Sequence, residues 1–192
     1  MSETLLTRIP RDQLEPRWQQ AWETLNQLTG AATFIEVFAQ APDVLEFVMD
    51  RFYARLFFGG TVAQRYKQLA RLELSIVHGC RTCNRQNVPG AMSAGFTQEQ
   101  IDALIGGDST PFSAAERAVI AYADQLALSN MDGRLSQDLF GALRRHFTEA
   151  QILELGTVMA VISGMAKLSF VLDVVDREDY CPFAPEPVRP AV

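Results

Sequence analysis

The chain has 192 residues, 48% of them hydrophobic and 21% charged, and a formal net charge of −6. This excludes a disordered, collagen-like or tail protein and leaves room for one ordinary domain or two very small ones. Seventeen Lys and Arg against twenty-three Asp and Glu, with a pI near 4.9, provide no basic stripe for a phosphate backbone, so no nucleic-acid partner is expected. Three cysteines and two histidines are too few for a disulfide scaffold or a multi-zinc domain.

Met1–Trp18 mixes charge with proline and holds no apolar run of signal-peptide length, so the expected location is the cytoplasm. Asp12–Leu28 spaces Leu14, Trp18, Trp22, Leu25 and Leu28 three or four apart, which predicts an amphipathic helix stopped at Gly30. Thr33–Phe58 places Phe34, Val37, Phe38, Val44, Leu45, Phe47, Val48, Phe52, Leu56 and Phe57 at helical spacing, and Pro42 splits it into two helices meeting near Ala41. Phe34, Phe38, Phe47, Phe52 and Phe57, with Met159 further on, are expected in the core, some of them lining an apolar pocket.

A helix then runs from Thr61 to His78-Gly79, and another from Cys80 to Pro89-Gly90. Four pairs fit the capping box, in which a hydroxyl and a Glu or Gln three residues on satisfy helix-end donors: Thr61/Gln64, Thr97/Gln100, Ser113/Glu116 and Thr148/Gln151. Further helices are predicted over Ala115–Leu128 and Gln137–Phe147, with a turn at Asn130–Gly133. Leu155–Val175 has the length of a bilayer span, but Lys167 and Asp173 lie inside it. Its Gly156, Ala160 and Gly164 stripe predicts a core or interface helix that another backbone approaches closely, and no membrane association. Pro182, Pro185, Pro187 and Pro190 predict an extended tail over 179–192 without packing of its own, following a single domain over 1–178. The whole reads as an all-α bundle of about eight helices. Thr61-Val-Ala-Gln64 and Thr148-Glu-Ala-Gln151 open a faint internal repeat of helical hairpins.

Cys80-Arg81-Thr82-Cys83 is the sharpest chemical feature. Two cysteines one turn apart at a helix start can close a disulfide with little backbone change, and the unpaired N–H groups there favour thiolate over thiol. Lowering a thiol pKa from ~8.5 to ~7 raises its reactive fraction roughly fifteenfold at pH 7, about 2 kcal/mol of tuning. Three other readings compete. A zinc site would need partners from His78, His146 and Cys181, none of which has ligand spacing. The pair could be small buried hydrophobes, although Arg81, Thr82, Asn84 and Arg85 make the surroundings polar. It could also be a structural staple, but no export signal points to an oxidising compartment. A redox dithiol is favoured.

Arg65–Asn87, RYKQLARLELSIVHGCRTCNRQN, with flanks from Ala41-Pro42 to Gly107, resembles the carboxymuconolactone decarboxylase family and its CxxC-bearing, alkylhydroperoxidase D-like (AhpD-like) members. Ser113–Ala127 and Leu143–Leu168 are similar to the family's C-terminal half. The resemblance implies an all-α fold, trimers or hexamers, and reduction of organic hydroperoxides with electrons from an external dithiol or thioredoxin-like donor. It assigns Cys83 as the peroxide-attacking thiolate and Cys80 as the resolving thiol, whereas the helix dipole by itself favours Cys80 as nucleophile. No metal, haem or flavin is called for. The family's relay Glu and His positions hold Gln68 and Asn87 here; an amide can orient water or substrate but cannot act as a base. His78 stands as a replacement base or as a cation capping a helix C-terminus. Glu73 is expected as a solvated or interface carboxylate, His146 as structural, and Cys181 as an incidental tail thiol. The alternatives are a lactone decarboxylase without thiol chemistry and a non-enzymatic ligand-binding oligomer with a redox-switch cysteine pair.

Overall fold

The structure, a computed structural model, describes residues 4–183. Among them there are nine α-helices and no strand. Helix α1 (Pro16–Thr29) ends where Gly30 adopts φ 80° and returns its N–H to Asn26 O, the left-handed stop that glycine takes without strain. Helix α2 (Thr33–Phe38) and α3 (Pro42–Glu46) meet at Ala41, with Pro42 in the first turn of α3, where its missing N–H goes unmissed. Beyond Glu46 the chain continues as a π-helix over Phe47–Phe57, a long run for a conformation found mostly as single-turn bulges. The wide turns gather Phe52, Tyr53, Phe57 and Phe58 into one edge-to-face group of rings.

Helix α4 (Gln64–Val77) is the axis of the molecule: every residue from Lys67 to Ile76 is buried. It packs against α5 (Arg81–Ser93), α7 (Ala114–Leu126) and α9 (Glu149–Val171). Leu74, Val119, Leu155 and Met159 form the core between α4, α7 and α9, and Leu69, Leu72, Ala91 and Ile101 the core toward α5 and α6 (Gln98–Ile105). The short α8 (Gln137–Arg144) closes against α7. Three capping boxes form as predicted, at Thr97, Ser113 and Thr148. The fourth does not. Helix α4 starts at Gln64 behind Ala63, and the Thr61 hydroxyl and amide turn instead to Glu154 on α9, at 2.7 and 2.9 Å. Glu154 also takes Nζ of the fully buried Lys67 at 2.6 Å, a charge that outcompetes a local cap.

Helix α9 is the one described helix long and apolar enough to cross a membrane, with a third of its most apolar window buried. The small-residue stripe does not receive a backbone: Tyr122 reaches Gly156, and nothing comes within 4 Å of a Cβ placed at Gly164. Phe47 is also not core, being 51% exposed, because the π-helix turns it outward. The expected free tail is in fact anchored as far as it is described. Glu178 N–H donates to Gly79 O at 2.8 Å, Cys181 is buried, and the Phe183 ring stacks on Phe170. Apolar residues among the prolines give this stretch something to bury. Residues 184–192, with the rest of the predicted extended tail, lie outside the described residues.

Candidate functional site: a disulfide on the wall of an aromatic cavity

Cys80 and Cys83 are joined as a disulfide with their Cα atoms 5.1 Å apart. Cys80 is the N-cap of α5, and its Sγ accepts the Cys83 amide N–H at 3.2 Å. Cys80 is fully buried and Cys83 only partly, so Cys83 is the outer cysteine of the pair. Gly79 holds the turn before the pair at φ 62°, and a Cβ there would sit 2.5 Å from Cys181 Cα. Only glycine fits between the α4–α5 turn and the returning tail. Cys181 is no exposed tail thiol: it is buried and donates to His78 O at 3.1 Å.

Cys80 and Cys83 both line a cavity of about 530 Å³, to which Trp18, Phe34, Phe52, Tyr53 and Phe58 contribute rings. That is room for a small organic molecule. Arg71, Ser75 and His78 bring a polar stripe from α4, and Asn87 continues it on α5; the spacing of three or four places them on one helix face. Among the described residues no cluster of His, Cys, Asp and Glu that could hold a metal is found.

Of the residues singled out in the sequence, Cys80, Cys83, His78 and Asn87 line the cavity. Gln68 stands behind it, with Oε1 accepting from Arg71 Nη2 at 2.7 Å. Asn87 Nδ2 donates to the Arg71 carbonyl at 3.3 Å. Gln68 thus holds the Arg71 guanidinium, and Asn87 the Arg71 main-chain carbonyl. His78 is neither a cationic cap nor a base for the thiol. Burial pushes its pKa down to about 4, so proton transfer from an ordinary thiol near 8.5 would be uphill by about 6 kcal/mol. Its Nε2 accepts the Leu128 amide at 3.0 Å, which leaves the proton on Nδ1, and that atom has no partner. Glu73 is buried, not solvated. Burial and a hydrogen bond shared with Asp124 raise its pKa above the carboxylate range. His146 is exposed and away from the cavity.

Arg71 is the residue the sequence reading missed. It is buried, its guanidinium lies 4.8 Å from the Phe57 ring centroid and hydrogen-bonds Tyr53, and desolvation lowers its pKa. Its signal was the helical spacing of Gln68, Arg71, Ser75 and His78, a polar stripe within an otherwise buried helix.

No curated protein sequence matches the chain. Solved structures do resemble it in fold. A cysteine-to-alanine variant of the debrominase Bmp8 in complex with 2,3,4-tribromopyrrole superposes with TM-score 0.71 at 18% identity, covering 92% of this chain and 93% of that one. An AhpD-core, uncharacterised peroxidase-related protein from Ralstonia eutropha JMP134 gives TM-score 0.72 at 13% identity, covering 93% and 94%. A protein of unknown function from Agrobacterium tumefaciens gives 0.61 at 19%, covering 79% and 96%. The model of the carboxymuconolactone decarboxylase family matches residues 42–125. That span holds α3, α4, α5 and both bridged cysteines, so the likeness to the carboxymuconolactone decarboxylase family covers the cysteine pair, and the chain has the all-α fold of AhpD-like proteins.

Proposed function

We propose that the protein is a thiol-dependent oxidoreductase whose Cys80–Cys83 pair reduces a small, largely apolar organic hydroperoxide bound in the adjoining cavity. The observation that carries this reading is a disulfide set in the wall of a ring-lined cavity, with Cys83 partly exposed. In the reduced form the Cys83 thiolate attacks the distal peroxide oxygen. The O–O bond breaks, the alcohol leaves after taking a proton, and Cys83 becomes a sulfenic acid. The Cys80 thiol then displaces water to form the disulfide. An external dithiol, such as a thioredoxin-like protein in a reducing cytoplasm, attacks the exposed Cys83 sulfur. Cys80 leaves as a thiolate steadied by the Cys83 N–H, which already points at its sulfur. With Gln68 and Asn87 at the relay positions and His78 neutral, the alkoxide takes its proton from water, which makes turnover slow.

A second reading, reductive dehalogenation of a small haloaromatic, is favoured by the rings on the cavity wall and by the fold shared with a debrominase. There C–halogen is exchanged for C–H, the two thiols become the disulfide, and hydrogen halide leaves. The exposed apolar side chains Phe47, Phe58, Leu153 and Val171 support assembly into a homo-oligomer. The deciding experiment supplies cumene hydroperoxide or 2,3,4-tribromopyrrole with dithiothreitol or thioredoxin. Hydroperoxide loss that Cys83→Ser abolishes supports the first reading; halide release alone supports the second.

A further inference from the structure

The cavity is apolar, yet it carries an unanswered positive charge. Arg71 is 5% exposed and lines the cavity, and its Nε has no hydrogen-bond partner. Its other contacts are neutral: the Gln68 amide oxygen at 2.7 Å, the Tyr53 hydroxyl and the face of Phe57. Among the described residues no carboxylate pairs with it. The remaining charges on the cavity wall, Arg17 and Asp50, are half exposed and 3.5 Å from each other. Two turns along α4 from Arg71, His78 presents a second buried, unpartnered donor, Nδ1–H. A buried charge without a counter-ion is costly, and buried donors without acceptors add to that cost. A ligand bringing the missing negative charge relieves it.

We infer that the cavity binds an apolar organic acid, its carboxylate held by Arg71 and its hydrocarbon body lying along the ring-lined wall toward Cys83. One guanidinium in an apolar setting matches one negative charge; a phosphate dianion would leave charge unbalanced. Asn87 lines the same cavity: its Nδ2 donates to the Arg71 main-chain carbonyl, and it lies one helical turn, about 6 Å, beyond Cys83 on α5. A ligand anchored at the guanidinium therefore shares this one cavity with Cys83. This deepens the proposed function, since it treats the same cavity as the substrate site and names the substrate's polar end.

Calorimetric titration of the full chain in its disulfide form at pH 7.5 tests this without any turnover. The probes are naphthalene-2-carboxylate and the isosteric, uncharged naphthalene-2-carboxamide. The acid is expected to bind at least tenfold more tightly, with the preference erased in Arg71→Gln while the amide still binds. Equal affinities in the unaltered protein, no binding of either probe at millimolar concentration, or a preference that survives Arg71→Gln would overturn it. The wild-type comparison stands even if the variant fails to fold. Loss of the acid preference in a protein that still consumes hydroperoxide removes this inference alone; an intact preference without thiol chemistry removes the functional reading alone.

Discussion

Arg71 Nη2 donates to Gln68 Oε1 at 2.7 Å, a fully buried contact one turn apart on the central helix. The neutrality of Gln68 leaves the guanidinium charge free for something else. Gln68→Glu would supply that charge from within. The variant is expected to bind naphthalene-2-carboxylate at least about tenfold more weakly, about 1.4 kcal/mol, with the carboxamide unaffected. Titration of both probes checks this; unchanged acid affinity would mean that Arg71 does not meet the ligand.

The buried imidazole makes a prediction about pH. The folded-state pKa of His78 is lowered to about 4, below ~6.5 in the unfolded chain. Between these values the unfolded state binds more protons. Stability is therefore full above about pH 6.5, falls as pH drops toward 4, and loses at most about 3 kcal/mol from this group. Urea unfolding across this range should show a shallower pH slope for His78→Gln, which keeps an acceptor for Leu128 N–H. Parallel slopes would show that the imidazole is not responsible.

Lys67 is fully buried, donating to Leu56 O, Gly59 O and Glu154 Oε1 at 2.8, 2.6 and 2.6 Å. Lys67→Met keeps the volume but leaves Glu154 without its counter-charge and two carbonyls without this donor. A loss of about 3–5 kcal/mol is expected in denaturant unfolding. A loss under 1 kcal/mol would mean that water replaces the ammonium.

Gly79→Ala meets both a positive φ and the Cys181 backbone at 2.5 Å. The conformation alone costs about 1–2 kcal/mol, and the clash displaces the 177–183 segment from the cysteine turn. Lower thermal stability and faster alkylation of Cys181 are expected; an unchanged alkylation rate would show that the tail is not held there.

How much of this was legible in the sequence depended on how local the cause was. Gly30, Pro42, three capping boxes and the Cys80–Cys83 turn each act within a few residues, and their side chains state what they do. Thr61 carried the same cap signature as Thr148 but is claimed by Glu154, 93 residues away, and no window along the chain shows that. The π-helical winding of Phe47–Phe57 likewise escaped a 3.6-residue reading. At the site, the cysteines were visible as a motif. Arg71 was not, because an arginine in a helix is ordinarily a surface residue; only the three-dimensional structure shows α4 buried on all sides. Burial also reversed the readings of His78, Glu73 and Cys181, whose chemistry depends on solvent access that sequence spacing does not encode.

The most direct test of the central claim is a single-turnover reaction. Fully reduced protein is mixed with one equivalent of cumene hydroperoxide, quenched by alkylation, and mapped by mass spectrometry. The account predicts one Cys80–Cys83 disulfide and one cumyl alcohol per chain, with Cys83→Ser inert and Cys80→Ser trapped as the Cys83 sulfenic acid. Recovery of both thiols fully alkylated, with the hydroperoxide unconsumed, would contradict it.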